Sequence, residues 1–180
     1  MSQPAADGFK SLVDAISSPM LREIAQHWNE ARGLKPMPTW ADLSPSVLAP
    51  HFKWLWGFHY DPATGDFTGR LAGTNIRDWL GANFLGASLK EIHPPKVFQE
   101  SHQMLSHIVT TPAASRFHGR LFKIGDKTIE GERICLPLAA DGTVAGGVLG
   151  ASYYECPVLS GPLELIHENV EWFAIGSRAS

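Results

Sequence analysis

Phe52-Lys53-Trp54-Leu55-Trp56-Gly57-Phe58-His59-Tyr60 is the stretch on which the fold turns. Bulky β-formers occupy every second position, at Phe52, Trp54, Trp56, Phe58 and Tyr60. That period predicts a strand with one richly aromatic face. Asp61-Pro62-Ala63-Thr64-Gly65-Asp66 has turn composition, and Phe67, Gly69, Leu71 and Gly73 mark a second strand. Two strands joined by so short a turn form an antiparallel hairpin.

Downstream of the hairpin the period becomes helical. Asn75 to Leu80 fits one or two turns, Gly81 and Gly86 break the chain, and Ala87 to Ile92 forms another turn before Pro94-Pro95. The best internal helix runs from Lys96 to Thr110, with Val97, Ser101, Met104, Leu105 and Ile108 on one face. Three β segments follow at 115–124, 128–138 and 143–154, separated by Gly125-Asp126-Lys127 and Ala140-Asp141-Gly142. In the middle one Ile134, Leu136 and Leu138 face inward, while Glu130 and Glu132 predict a solvated end. Gly146, Gly147, Gly150 and Ala151 leave room for a helix or ligand to approach. The tail, Pro162 to Phe173, reads as a helix through Leu163, Ile166 and Val170.

Upstream, residues 1–16 form a polar leader that joins the first helix. Ser18-Pro19 supplies an N-cap and a first-turn proline. Leu21, Ile24, Ala25 and Trp28 repeat at helical spacing up to Gly33, which predicts a helix over Pro19 to Arg32. Pro36, Pro38, Pro45 and Pro50 then mark a surface linker, interrupted by a helical turn from Ser44 to Leu48.

A chain of 180 residues, 44% of them hydrophobic, is long enough for a core. Folding at this size buries about 70% of the extended surface. The net charge is −3 and the cations stand singly, which argues against wrapping nucleic acid. Apolar stretches such as Trp54-Leu55-Trp56 fall far short of the roughly 20 residues that span a bilayer, and no basic-then-apolar signal segment opens the chain. Cys135 and Cys156 form no CxxC, so the expected setting is a reduced cytoplasm.

The resulting order, β-β-α-α-α-β-β-β behind a helix and linker, resembles the PAS fold. It is similar in particular to a family of small stand-alone PAS-like proteins from alphaproteobacteria. The resemblance rests on Trp28, Arg32-Gly33, Pro38, Asp42, Pro45 and Leu48, and above all on Asp66-Phe67-Thr68-Gly69-Arg70-Leu71-Ala72-Gly73-Thr74. Asn75-Ile76, Asn83-Phe84-Leu85-Gly86, Leu136-Pro137-Leu138, Asp141-Gly142 and Val148-Leu149-Gly150 complete it, over roughly residues 20–155. Thr39-Trp40 departs from the family, where an arginine often follows the proline equivalent to Pro38. The fold so implied is α+β: a five-stranded antiparallel sheet with covering helices and helical extensions at both ends. The division is a helix and Pro-rich linker over 1–50, a PAS-like core over 51–156 and a helical extension over 157–180.

The resemblance implies a sensory or regulatory module rather than an enzyme. A small apolar or amphipathic ligand would lie between sheet and helices, against Trp54, Trp56, Phe58, Phe67 and Met104, with Arg70, Asn75 or Tyr153 orienting it. The same rings serve equally well as packed core, which leaves a pure interaction adaptor as the alternative. No cofactor is specified. A haem sensor would draw on His102 or His107, yet five residues turn these about 140° apart on their helix. A small hydrolase would need Ser152 to meet His118, or Cys135 to meet His59, and no GxSxG elbow supports it. Trp28, Trp40 and Trp172 lie outside the expected sheet. They suggest either a homodimer through the terminal helices, or docking on a separate signalling protein, or folding back over the chain's own sheet.

Overall fold

The computed structural model describes residues 8–80, 83–141, 144–155 and 163–176. The leader's first seven residues, Gly81, Gly142, Cys156 and Pro162 lie outside them. Helix α1 (Phe9–Ala15) and helix α2 (Pro19–Arg32) come first. They part at Ile16-Ser17-Ser18 because Ser18 is extended and caps α2, its hydroxyl accepting from the Leu21 amide, with Pro19 in the first turn. The linker carries a 3₁₀ turn at Trp40–Asp42, the short helix α3 (Pro45–Leu48) and a second 3₁₀ stretch at Ala49–Trp54.

Strands β1 (Leu55–Asp61) and β2 (Asp66–Ala72) form the expected hairpin. The aromatic alternation, however, starts three residues before the strand does. Phe52 and Trp54 belong to the 3₁₀ stretch, where Pro50 sets the first turn. Helices α4 (Thr74–Leu80), α5 (Leu89–Ile92) and α6 (Pro95–Thr110) follow, then β3 (Ala113–Ile124), β4 (Lys127–Asp141) and β5 (Val144–Tyr154). Their antiparallel order is β2-β1-β5-β4-β3, the five-stranded sheet expected.

Among the described residues of the tail, strands stand where a helix was expected. Residues 163–165 and 171–174 are strands β6 (Leu163–Leu165) and β7 (Glu171–Ala174), both antiparallel to the outer edge of β3. Leu165 sits opposite Phe122 and Trp172 opposite Ser115. An open edge of β3 offers a row of unpaired amides and carbonyls, and this pairing satisfies them where a free helix would not.

Two layers cover the sheet. Helices α4 to α6 lie on one face; α1, α2 and the linker lie on the other, over Ile134, Leu136 and Leu138, which are fully buried there. Trp28 is completely buried in this second layer, stacked on Phe9 and donating its indole N–H to the Pro137 carbonyl at 2.8 Å. Arg32 stands 5.2 Å over the Trp28 ring and bonds the Gly176 carbonyl at 2.9 Å, joining helix α2 to the C-terminal segment. Trp40 lies on the same face, beneath the Arg70 guanidinium at 5.0 Å. The tryptophans that suggested a dimer are therefore largely used within one chain.

Glu132 also departs from expectation. It is 3% exposed, not solvated, because it accepts from the amides of Ser17 and Ser18 and from Arg116 Nε at 2.6 Å.

Candidate ligand-binding site

Between the sheet and α4–α6 lies a cavity of about 60 Å³. Trp56 and Phe58 of β1 form its floor. Ile76, Phe84, Leu89, Met104 and Leu105 close it from the helical side, and Leu165 closes it from β6. The floor is possible because Gly150, opposite Trp56 on β5, has no Cβ: one placed there would stand 2.1 Å from the indole. At Gly150, then, the absent side chain admits a neighbouring indole.

Five polar side chains face this apolar space: His93, Ser101, Arg133, Ser152 and His167. Arg133, on the same face of β4 as Cys135, is 6% exposed and donates from Nε to Ser152 Oγ at 3.2 Å. The Trp56 indole N–H donates to the same oxygen at 3.0 Å. Burial, and then the Arg133 charge, hold His93 down to about 4 and His167 down to about 3, so both imidazoles are neutral near pH 7. Burial likewise pushes the Cys135 thiol up to about 11, leaving it unreactive at neutral pH.

Of the residues expected from sequence, Trp56, Phe58 and Met104 line the cavity. Phe67 is buried in the same core, edge-on to Phe58 at 6.5 Å. The other four are elsewhere. Arg70 is on the opposite face of the hairpin, 2.7 Å from His59 Nε2. Asn75 is not among the lining residues; its backbone carbonyl accepts from Tyr154, while the neighbouring Ile76 lines the cavity. Trp54, carried off the strand by the 3₁₀ stretch, packs edge-on against Tyr153 and Tyr154 at 5.2 and 5.1 Å. Tyr153 pairs with Glu132 and shares its outward face. Strand parity explains Arg70 and Tyr153: each is one residue out of phase with an inward position.

The haem and hydrolase constellations do not assemble. His102 is bound to the Gly65 carbonyl at 2.9 Å, and His107 packs on Trp172 at 4.3 Å; neither lines the cavity. Ser152 faces inward while His118 is exposed on the outer face. Cys135 and His59 are likewise on opposite faces.

A PAS-domain family matches residues 16–152. The chain belongs to that family. It is thus a PAS-type sensory or regulatory module, a non-enzymatic class. Within the matched residues the Gly69 amide donates to the Ala87 carbonyl and the Gly86 amide to the Gly69 carbonyl, clamping the segment after α4 onto β2. No curated protein matches the chain. Among solved structures, the Vibrio cholerae VqmA dimer, described in the absence of target DNA and in relation to LuxR-type receptors, is similar at 11% identity and a TM-score of 0.44. That alignment covers 62% of this chain and 51% of the other. VqmA bound to DPO is similar at 10% identity and a TM-score of 0.44, over 62% and 56%. This chain spans about half the length of those proteins.

Proposed function

We propose that this PAS module senses a small amphipathic ligand held between the sheet and α4–α6. The carrying observation is the cavity itself: an apolar chamber into which five polar side chains converge from α6, β4, β5, the turn before α6 and the C-terminal segment. A merely packed core has no reason to gather an arginine and two histidines. Residues 51–156 supply most of the chamber in this reading, with 1–50 as a brace behind the sheet.

The output runs through the C-terminal segment. Leu165, His167 and Met104 line the cavity and also line a groove of about 970 Å³ between α6 and that segment. A ligand that displaces them alters β6 and β7 at the sheet edge, where a separate signalling protein would read the change. Such a switch requires a ligand that binds the two arrangements with different affinity. A separate recipient is favoured over a homodimer through terminal helices, since Trp28 is fully buried and Trp40 lies on the sheet. Trp172 alone of the three stays 40% exposed. The hairpin motif from Asp66 to Thr74 supports a place in the compact alphaproteobacterial branch of the family. A cytoplasmic setting fits the free, buried Cys135 thiol. No helix of the described residues is long and apolar enough to cross a membrane.

Native mass spectrometry of gently purified full-length protein, comparing intact and denatured masses, tests the reading. A discrete non-covalent adduct supports it. A bare mass, together with no thermal stabilisation across a library of small amphipathic compounds, overturns it in favour of the adaptor.

A further inference from the structure

None of the described residues lining the cavity is an acid. Arg133 is buried there, and no ion pair joins it to a carboxylate among the described residues. Arg116 on neighbouring β3 shows the contrast, meeting Glu132 at 2.6 Å and Glu171 at 2.9 Å. A buried guanidinium without a counter-charge is costly to keep, and its planar fork matches a carboxylate in two parallel hydrogen bonds.

The neighbours of Arg133 are donors as well. Both lone pairs of Ser152 Oγ are taken, by Trp56 Nε1 and by Arg133 Nε, which leaves the hydroxyl's own hydrogen to give. His167 Nδ1 is buried without a partner, while its Nε2 lies 3.2 Å from Ser101 Oγ. The cavity thus offers a cation and spare donors, beside aromatic walls.

We infer that this cavity receives the carboxylate head of a small organic acid, seated on Arg133 with Ser152 and His167 as further donors. The inference rests on the ligand-sensing reading above and names the ligand's class. The acid's apolar part faces Trp56, Phe58 and Leu105. At about 60 Å³ the space is well below the roughly 150 Å³ that holds a benzene. A carboxylate and a carbon or two fill it, and a longer tail leads toward Met104, Leu165 and the outer groove. Inorganic phosphate would bring more charge and nothing for the rings to cover.

The test is an NMR titration of the ¹⁵N-labelled full chain at constant ionic strength in chloride. It follows the Trp56 indole and Arg133 Nε–H signals against propionate, propionamide, 1-propanol and inorganic phosphate. The expected result is saturable binding of propionate at least tenfold tighter than propionamide or phosphate. Arg133→Gln abolishes that preference and Arg133→Lys keeps part of it. The wild-type comparison stands by itself should either variant fold poorly. Equal binding of propionate and propionamide overturns the carboxylate class and leaves the sensing cavity intact. Phosphate binding as tightly as propionate also overturns it. If none of the four probes, propanol included, moves the cavity signals, both the class and the sensing reading fall.

Discussion

The Trp56 indole donates to Ser152 Oγ at 3.0 Å, one hydrogen bond that pins the cavity floor on β1 to the adjacent strand β5. Because Arg133 Nε uses the same oxygen at 3.2 Å, three strands converge on a single hydroxyl. The floor and the buried cation therefore cannot move independently. Whatever enters the chamber and shifts Arg133 also shifts Trp56.

Ser152→Ala removes that shared acceptor and leaves two buried donors unpaired. Each unsatisfied group costs about 1–3 kcal/mol. The expected outcome is a loss of about 2 kcal/mol or more in urea unfolding, with altered Trp fluorescence in the folded state. A loss under about 0.5 kcal/mol would mean that the three groups do not share the oxygen in solution.

Acid should destabilise the protein through His93 and His167. Burial and Arg133 hold both below the ordinary histidine value, to about 4 and about 3. The unfolded chain therefore binds protons near pH 6.5 that the folded chain refuses. Their stabilising contribution is complete above pH 6.5 and is lost as pH falls toward 4 and below, at about 1.4 kcal/mol per pH unit for each histidine. Unfolding free energies measured from pH 7.5 to 4.5 should show this slope, shallower by about one proton in His93→Gln. A profile that Gln leaves unchanged would place His93 in water.

Local pattern carried much of the fold. Ser18-Pro19 to Gly33 gave α2 its bounds, and the alternation from Trp56 to Tyr60 gave β1. Leu163, Ile166 and Val170 misled because their spacing suits a helix, whereas β6 and β7 are set by pairing with a β3 edge some 40 to 60 residues earlier, which no window can see. The site was legible where alternation alone decided it, at Trp56 and Phe58. Arg133, His93 and His167 were missed because each is a single polar residue in an unremarkable segment, and only the topology brings them together.

Gly57 should prove intolerant of a side chain because of Trp40. A Cβ at Gly57 would stand 2.4 Å from Trp40 Cη2, so Gly57→Ala must lift the ring off the sheet and away from Arg70. Overpacking of this kind costs about 1–3 kcal/mol. In a Trp40→Ala background the ring is gone and only the Val148 carbonyl, at 3.1 Å, still crowds the site, so the same substitution should cost less than half as much. Thermal or urea unfolding of the four proteins in the cycle measures the coupling. Additive losses would show that Trp40 does not rest on Gly57.

Glu132 holds three parts of the chain at one carboxylate. It accepts from the Ser17 and Ser18 amides at 2.9 and 2.7 Å, fixing the corner between α1 and α2, and it pairs with Arg116 at 2.6 Å. Arg116 in turn reaches Glu171 of β7 at 2.9 Å. Glu132→Ala leaves Arg116 with half-exposed Glu171 as its carboxylate and both amides unsatisfied, and breaking a buried pair from one side costs about 3–5 kcal/mol. The expected outcome is a loss of that order, with faster amide hydrogen exchange at residues 16–19 and at 171–174 together. Glu132→Gln, which keeps an acceptor for one amide, should lose less. Faster exchange at the α1–α2 corner without any change in β7 would separate the two contacts. The C-terminal strand would then be held independently of Glu132.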